Sequence, residues 1–284
     1  MKIRLAQKLN KSLLRLGALL VLACLPGYAE KLLTADKIPA VDLPIKQYKH
    51  SNQCKLEVAT ELAQWLHNTL QSKQALVAVV ARNARPITEK YDATGMGHVG
   101  LAVYDPRVQS WLFYHLLNDV IEKQPTANLY ISAPIDFFYD QRGYKREALI
   151  MLPPQDIQQR IYNAILNQAY KKLHFTKRYS LTSGYDSVQS INCTKWIEML
   201  LVAAKIDDYD PMTVLTAMHE VPPASLKPPA IVRAWFSWRK PEVATEFYPD
   251  KSWRTVTAES LYRSELFTER IFFSGKILNL SSEP

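Results

Sequence analysis

Cys193 stands where a cysteine thiol can act as a nucleophile. Asn192 is a favourable helix N-cap, and it places Cys193 at the first position of an amphipathic helix. The positive end of the helix dipole favours the thiolate, so we expect a lowered pKa for this thiol. The backbone N–H groups of the first helical turn have no partner inside the helix and can donate to an oxyanion. Because Cys193 shares an apolar stripe with Ile197 and Leu200, we expect it to face a β-sheet.

A base for this thiol must come from that sheet, and two histidines on neighbouring predicted strands could supply it. His98 begins one strand and His115 lies on the next. If the hairpin pairs Tyr104 with Trp111, the two histidines project from the same face, about one diagonal step apart. One imidazole could then take the thiol proton while the other orients it, as in a catalytic triad. The residues therefore predict a thiol–imidazole site.

Each of these residues also has a structural interpretation. A cysteine on an apolar helix face is commonly a small core residue, and a histidine within a strand is commonly structural. Cys54 and Cys193 are the two cysteines outside the N-terminal segment, and they could form a disulfide in an oxidising compartment. The coincidence of a capped helix-start cysteine, a strand-start histidine and a second histidine on the same face favours the catalytic interpretation.

The sequence contains no motif for a metal or a cofactor. It has no His-Glu-x-x-His stretch and no pair of cysteines at zinc-ligand spacing. With eight glycines in the chain, a glycine-rich phosphate loop is also absent. We therefore expect neither a metal ion nor a cofactor at the site.

The segments that must position these side chains predict an α+β domain, with an antiparallel sheet packed against helices. Stretches of helical periodicity alternate with short β-branched or aromatic runs that are bounded by turn residues. Residues 119–145 have a mixed pattern with a short aromatic segment at 136–140. The predicted elements are a helix at 54–73, strands at 75–81, 98–105, 111–118 and 148–152, and helices that begin near 155, at 193 and after 210.

The N-terminal segment determines the expected compartment. Its basic start and short apolar run, followed by Gly27-Tyr28-Ala29, are typical of a secretory signal peptide with cleavage after Ala29. An alternative is a lipoprotein signal in which Cys24 carries a lipid anchor. We therefore expect an exported, periplasmic protein whose mature chain has no transmembrane span.

Removal of this segment changes the charge of the chain. The full sequence has 35 Lys+Arg and 27 Asp+Glu, a net charge of +8. Five of the basic residues and none of the acidic ones lie in residues 1–29, so the mature chain carries +3. That excess is too small to predict binding to nucleic acid. We expect an extended lead-in at 30–53 and one domain at 54–284, in which residues 221–284 form a Pro-rich and aromatic extension. The sequence does not indicate an oligomeric state.

Three stretches of the chain carry a resemblance to a known superfamily. GHVGLAVYDP (97–106), WLFYHLLN (111–118) and INCTKWIEMLL (191–201) resemble the circularly permuted branch of the NlpC-type, papain-like enzymes, which includes lecithin:retinol acyltransferase. In that branch the strand-start histidine precedes the helix-start cysteine, as it does here. The chain also looks like a family of exported bacterial domains of unknown function. The resemblance covers about residues 54–265.

This resemblance implies a papain-like fold, circularly permuted, with Cys193 as the nucleophile and His98 as the base. His115 is the implied orienting residue, and Asn118 and Asp119 are alternatives to it. The implied activity is a thiol hydrolase or acyltransferase that acts on an amide or ester, and the implied substrate is a cell-wall peptide or a lipid. The alternative is a non-catalytic envelope protein that keeps the fold for binding.

Overall fold

The computed structural model describes residues 43–83, 95–122, 124–140, 146–183, 188–218, 224–226 and 253–275. Their main feature is a six-stranded antiparallel sheet with the strand order β4-β3-β2-β1-β5-β8, and β6 pairs separately with β7. The strands are β1 (Val77–Asn83), β2 (Met96–Asp105), β3 (Ser110–Ile121), β4 (Gln124–Ser132), β5 (Glu147–Leu152), β6 (Ala224–Leu226), β7 (Trp253–Thr255) and β8 (Glu269–Ser274).

Helices connect these strands and flank the sheet. Most of them begin after a residue whose side chain accepts a backbone N–H of the first turn, or with a proline in that turn. Asn52 caps the first helix, and Asp210 caps the helix that begins with Pro211. The helices are α1 (Gln53–Ser72), α2 (Pro134–Tyr139), α3 (Gln155–Leu166), a 3₁₀ segment (Ala169–Leu173), α4 (Cys193–Ile206), α5 (Pro211–Ala217) and α6 (Ala258–Arg263).

The helices cover both faces of the sheet, so the fold has three layers. α1 and α2 pack on one face, in an apolar cluster that includes Val80 and Phe113. α3, α4 and α6 pack on the other face, in a larger cluster around Leu101 and the fully buried Trp196. Successive strand residues alternate between the two clusters because side chains along a strand point to opposite faces.

β2 and β3 run together for only part of their length. Their pairing begins at the hairpin turn and ends at Leu101 and Tyr114. Beyond these residues β2 continues back to Met96 beside β1, whereas β3 continues to Ile121 beside β4. The first residues of β2 therefore have a paired strand on one side only.

Several predictions about the fold can be compared with this structure. The α+β class with an antiparallel sheet is confirmed, and so is the pairing of Tyr104 with Trp111. Residues 119–145, interpreted as mixed, contain β4 and α2. β8, part of the predicted extension, is an edge strand of the main sheet, paired with β5. The C-terminal part of the chain therefore contributes a strand to the main sheet.

Other predictions fall on parts of the chain that are not described. The signal peptide at 1–29 and the alternative anchor Cys24 lie outside the described residues, as does most of the Pro-rich stretch. Among the helices of the described ranges, none has the length and apolar character needed to cross a bilayer.

Candidate functional site

Cys193 is the first residue of α4, as the sequence predicted. Asn192 caps this helix, because its Oδ1 accepts the backbone N–H of Lys195 and the hydroxyl of Thr194, each at 2.9 Å. The Asn192 side-chain amide donates to the hydroxyl of Thr255 at 3.1 Å. Asn192 is buried and hydrogen-bonded through both ends of its side chain, so the start of α4 is held in one position.

The thiol of Cys193 is buried against the beginning of β2. The backbone N–H groups of Val99, Thr194 and Cys193 itself lie close enough to the sulfur to favour its thiolate form by hydrogen bonding. Burial raises the pKa of the Cys193 thiol above its ordinary value, and these hydrogen bonds oppose the rise without cancelling it. The expectation of a lowered pKa is therefore wrong, because the loss of water destabilises the thiolate more than the helix start stabilises it.

His98 and His115 lie in direct contact, and their contact continues into a longer chain of hydrogen bonds. Nε2 of His98 is 3.1 Å from Nδ1 of His115, and Nε2 of His115 is 2.8 Å from Oγ of Ser132. The Ser132 hydroxyl donates to the carbonyl oxygen of Lys46 at 3.2 Å. The predicted placement of both histidines on one face is confirmed. The lead-in segment supplies the last acceptor of this chain of hydrogen bonds, the Lys46 carbonyl.

Cys193 and His98 reach neighbouring positions of one strand. The sulfur lies beside the backbone N–H of Val99, the residue directly after His98. The Val99 side chain packs in the cluster of α4, whereas the His98 ring contacts Phe137 of α2 on the other face. The thiol and the imidazole therefore approach β2 from opposite faces of the sheet, beyond Leu101, where β2 no longer pairs with β3.

An aromatic ring from α2 packs over both imidazoles. The centroid of the Phe137 ring lies 5.6 Å from that of His98 and 5.5 Å from that of His115. Phe137 also stacks on Phe113 at 3.9 Å. Gly100 makes this packing possible, since a Cβ at that position would lie 2.8 Å from Cε2 of Phe137. The glycine two residues after His98 therefore has a steric role.

A buried arginine lies beside the histidines. Arg82 is opposite His98 in the β1–β2 register and is 1% exposed. Its guanidinium donates to the Asn83 carbonyl at 3.0 Å and to Oδ2 of Asp140 at 2.6 Å, and it lies 5.0 Å from the centroid of the Phe137 ring. Nε of Arg82 has no hydrogen-bond partner among the described residues. This cation is fixed by contacts on several sides.

Burial and Arg82 together favour neutral imidazoles. Desolvation is the largest cause that lowers the pKa of His98 and of His115, and the charge of Arg82 is the second. The pKa of His98 falls well below its ordinary value, and that of His115 falls to about 3. The same charge acts on Cys193 in the direction that favours thiolate. At neutral pH this part of the structure therefore holds a neutral thiol, two neutral imidazoles and one cation.

The remaining candidates from the sequence lie elsewhere. Cys54 is an exposed free thiol and Cys193 a buried one, so they do not form a disulfide. Asp119, an alternative orienting residue, accepts hydrogen bonds from Asn128 and Tyr130. Within the described ranges, no three His, Cys, Asp or Glu side chains are grouped so that they could hold a metal ion.

Three residues of this region were not predicted from the sequence: Ser132, Arg82 and Phe137. Phe137 belongs to the aromatic segment at 136–140, which was visible in the sequence but had no assigned position. Arg82 follows a continuous apolar run in the same strand, and a cation at such a position is a signal of a buried polar site. Ser132 carries no signal of its own, because its contact depends on the register of β4 with β3.

Comparisons with known proteins give one match. Neither the search of curated proteins nor the search of solved structures found a protein that matches the chain. A family model described as an uncharacterized protein conserved in bacteria, DUF2145, matches residues 69–263. That range contains Arg82, both histidines, Ser132 and Cys193, and it spans more than half of the chain. The chain therefore belongs to the DUF2145 family of proteins conserved in bacteria.

Proposed function

We propose that the protein is a thiol hydrolase or acyltransferase that acts on an amide or ester carbonyl through Cys193 and His98. The observation that carries the proposal is the position of the thiol, at a capped helix start and beside the amide that follows His98. His98 is held by His115 through Nε2, so Nδ1 is the nitrogen assigned to proton transfer. Cys193 and His98 are both buried, at 6% and 7% exposed.

The proposed reaction begins when Nδ1 of His98 takes the thiol proton as the sulfur bonds to the carbonyl carbon. The π electrons move to the carbonyl oxygen, and the N–H groups of Cys193 and Thr194 beside the sulfur donate to the resulting oxyanion, since the N–H of Lys195 is already bonded to Asn192. The tetrahedral species then re-forms its carbonyl and breaks the bond to the amine or alcohol, which leaves with the proton from His98. A water molecule or an acceptor hydroxyl attacks the thioester by the same steps and restores the thiol.

The protonation states favour proton transfer during the attack over a preformed ion pair. Burial raises the pKa of the Cys193 thiol and lowers that of His98, so both groups rest in their neutral forms at pH 7. The charge of Arg82 favours the thiolate that develops as the proton leaves. We infer that the two side chains meet at the start of β2, because the sulfur lies beside the amide next to His98 and β2 no longer pairs with β3 there.

The fold and the compartment belong to the same proposal. We infer a papain-like, circularly permuted arrangement, because a strand-start histidine precedes a helix-start cysteine and both lie on one antiparallel sheet. The N-terminal signal segment supports export to the periplasm, with Cys24 as the alternative lipid anchor. Export gives access to cell-wall peptides and to lipids, and these are the two substrate classes that we propose.

A second candidate is a non-catalytic envelope protein that keeps this arrangement for binding. The observation in its favour is the raised pKa of a thiol that is almost completely buried. A cysteine in such surroundings can serve as a small apolar residue of the core.

An acyl-enzyme assay distinguishes these candidates. The protein, purified after export with its own N-terminal segment, is mixed with muropeptides, with phospholipid vesicles and with activated p-nitrophenyl esters. We expect an acyl adduct on Cys193 by intact-mass spectrometry with peptide mapping. Cys193→Ser and His98→Ala should lose turnover by at least about a hundredfold. Cys54→Ala is the matched control, since it removes an exposed thiol and should leave turnover unchanged.

Adducts on Cys54 alone, or equal turnover in the wild-type chain and Cys193→Ala, would exclude the thiol mechanism. If the folded wild-type protein forms no adduct with any of these carbonyl compounds yet retains them in a sedimentation assay, the binding protein is the correct interpretation.

A further inference from the structure

In the hydrogen bonds that join His98, His115, Ser132 and Lys46, the last acceptor decides which atom donates in each bond. The carbonyl oxygen of Lys46 can only accept. The Ser132 hydroxyl lies 3.2 Å from it and has a single hydrogen, which this bond uses. Towards His115, at 2.8 Å, Ser132 can therefore act only as an acceptor.

Both imidazole rings are restricted to one tautomer by these bonds. Nε2 of His115 must carry a hydrogen, because it faces an oxygen that accepts. A neutral imidazole has one N–H, so Nδ1 of His115 is unprotonated and accepts from Nε2 of His98 at 3.1 Å. Nε2 of His98 then carries the only ring hydrogen, and its Nδ1 holds a lone pair.

The carbonyl at the end of the chain is itself held in place. The lead-in segment runs along the edge of β4, where the Lys46 N–H donates to the Ile131 carbonyl at 2.7 Å and the Ile131 N–H donates to the Pro44 carbonyl at 3.1 Å. Ile45 and Ile131 form a parallel bridge there. This backbone pairing fixes the Lys46 carbonyl beside Ser132, which is itself fully buried.

We propose that Ser132 and the Lys46 carbonyl fix the tautomers of both histidines, so that His98 keeps Nδ1 unprotonated and ready to accept a proton. Ser132 is in this sense a positioning residue, since it acts through His115 on His98. The consequence for turnover rests on the proposed function, but the tautomers themselves are a property of the folded protein.

The test reads the tautomers directly. The full chain is labelled with ¹⁵N-histidine, and long-range ¹H–¹⁵N correlation spectra at pH 7 distinguish protonated from unprotonated ring nitrogens. We expect His98 and His115 both to carry hydrogen on Nε2 alone. In Ser132→Ala the His115 ring loses its acceptor, and we expect the spectra to show both tautomers or the reverse one.

Two further variants separate this role from a structural one. Ser132→Thr keeps the hydroxyl and should restore the wild-type tautomers. Ser264→Ala removes another buried hydroxyl, one that donates to the Leu261 carbonyl at 2.7 Å, and should change neither ring. If turnover is measurable, Ser132→Ala should lower kcat by about tenfold or more, because a wrong tautomer withholds the base.

The outcomes are distinct from those of the acyl-enzyme assay. Hydrogen on Nδ1 of either ring in the wild-type protein, or unchanged tautomers in a folded Ser132→Ala, overturns this inference whatever the turnover. The expected tautomers in a protein that never acylates support the inference and leave only the proposed function without support.

Discussion

Glu198 lies on α4, on the side of the helix that carries Lys195, and its side chain is fully buried. Neither of its carboxyl oxygens has a hydrogen-bond partner among the described residues. Burial raises its pKa from 4.5 to about 8, and the charge of Lys195 opposes this rise. The folded protein therefore keeps Glu198 protonated at pH 7, whereas the unfolded chain releases that proton above its ordinary pKa.

The sign of the resulting pH dependence follows from this difference. The folded state binds the proton more tightly, so the stabilisation is complete below pH 4.5 and is lost as the pH rises towards 8. Between these values Glu198 should lower the free energy of unfolding by up to about 1.4 kcal/mol per pH unit. In Glu198→Gln this component should vanish, as measured by urea denaturation from pH 5 to pH 8. Glu57→Gln, which changes an exposed carboxylate on α1, should keep the wild-type slope.

Arg82 should control how readily Cys193 ionises. Removal of the guanidinium in Arg82→Met takes away a charge that favours thiolate, so the thiol pKa should rise further. Each unit of that rise lowers the thiolate fraction tenfold at a given pH. The measurement is the ratio of iodoacetamide labelling at Cys193 to that at Cys54 between pH 7 and pH 9. We expect the ratio to fall in Arg82→Met and to stay constant in Arg107→Met, which removes a cation paired with Asp105. An unchanged ratio in Arg82→Met would contradict this assignment.

Residue types and spacing were sufficient to place Cys193 at a helix start and His98 on the same face as His115, because helix starts and hairpin registers are local properties. They were not sufficient to give the ionisation of the thiol. The helix dipole is visible in a sequence, but the depth of burial that outweighs it is a property of the packed layers around α4.

At the scale of elements, the contact between β2 and α2 requires a residue without a side chain, Gly100, on β2. A Cβ at position 100 would lie 2.8 Å from Cε2 of Phe137 and 3.3 Å from Cβ of His115. Gly100→Ala should therefore force Phe137 away from the histidines and destabilise the fold by about 1–3 kcal/mol. Chemical denaturation measures this loss. Gly100→Ala should cost less stability in a Phe137→Leu background than in the wild-type protein, because the smaller side chain leaves room for the added Cβ.

Two elements escaped the sequence analysis for physical reasons. β4 alternates buried Ala127, Leu129 and Ile131 with polar residues, but the tight connection after β3 merges the two strands into one mixed stretch. α2 has only six residues, too few to show a helical period. By contrast, α1 and α4 are long and amphipathic, and their predicted starts agree with the structure to within one residue.

At the scale of the whole molecule, the order of the sheet could not have been read from the sequence. β1 and β2 are consecutive and antiparallel, but β5 inserts on the far side of β1 and β8 follows it from the C-terminal part of the chain. Such pairings depend on which apolar faces remain to be covered once the hairpins have formed. The three layers explain why α4 and α2 deliver their side chains to β2 from opposite sides.

The matched family region begins at residue 69, whereas the carbonyl that terminates the histidine chain belongs to Lys46. The matched region therefore does not include every residue that takes part in the hydrogen bonds of the two histidines. A change in how the segment around Lys46 pairs with β4 could alter the basicity of His98 and His115 without changing any residue inside the matched region. Differences in behaviour among family members should therefore be sought first in their N-terminal flanks.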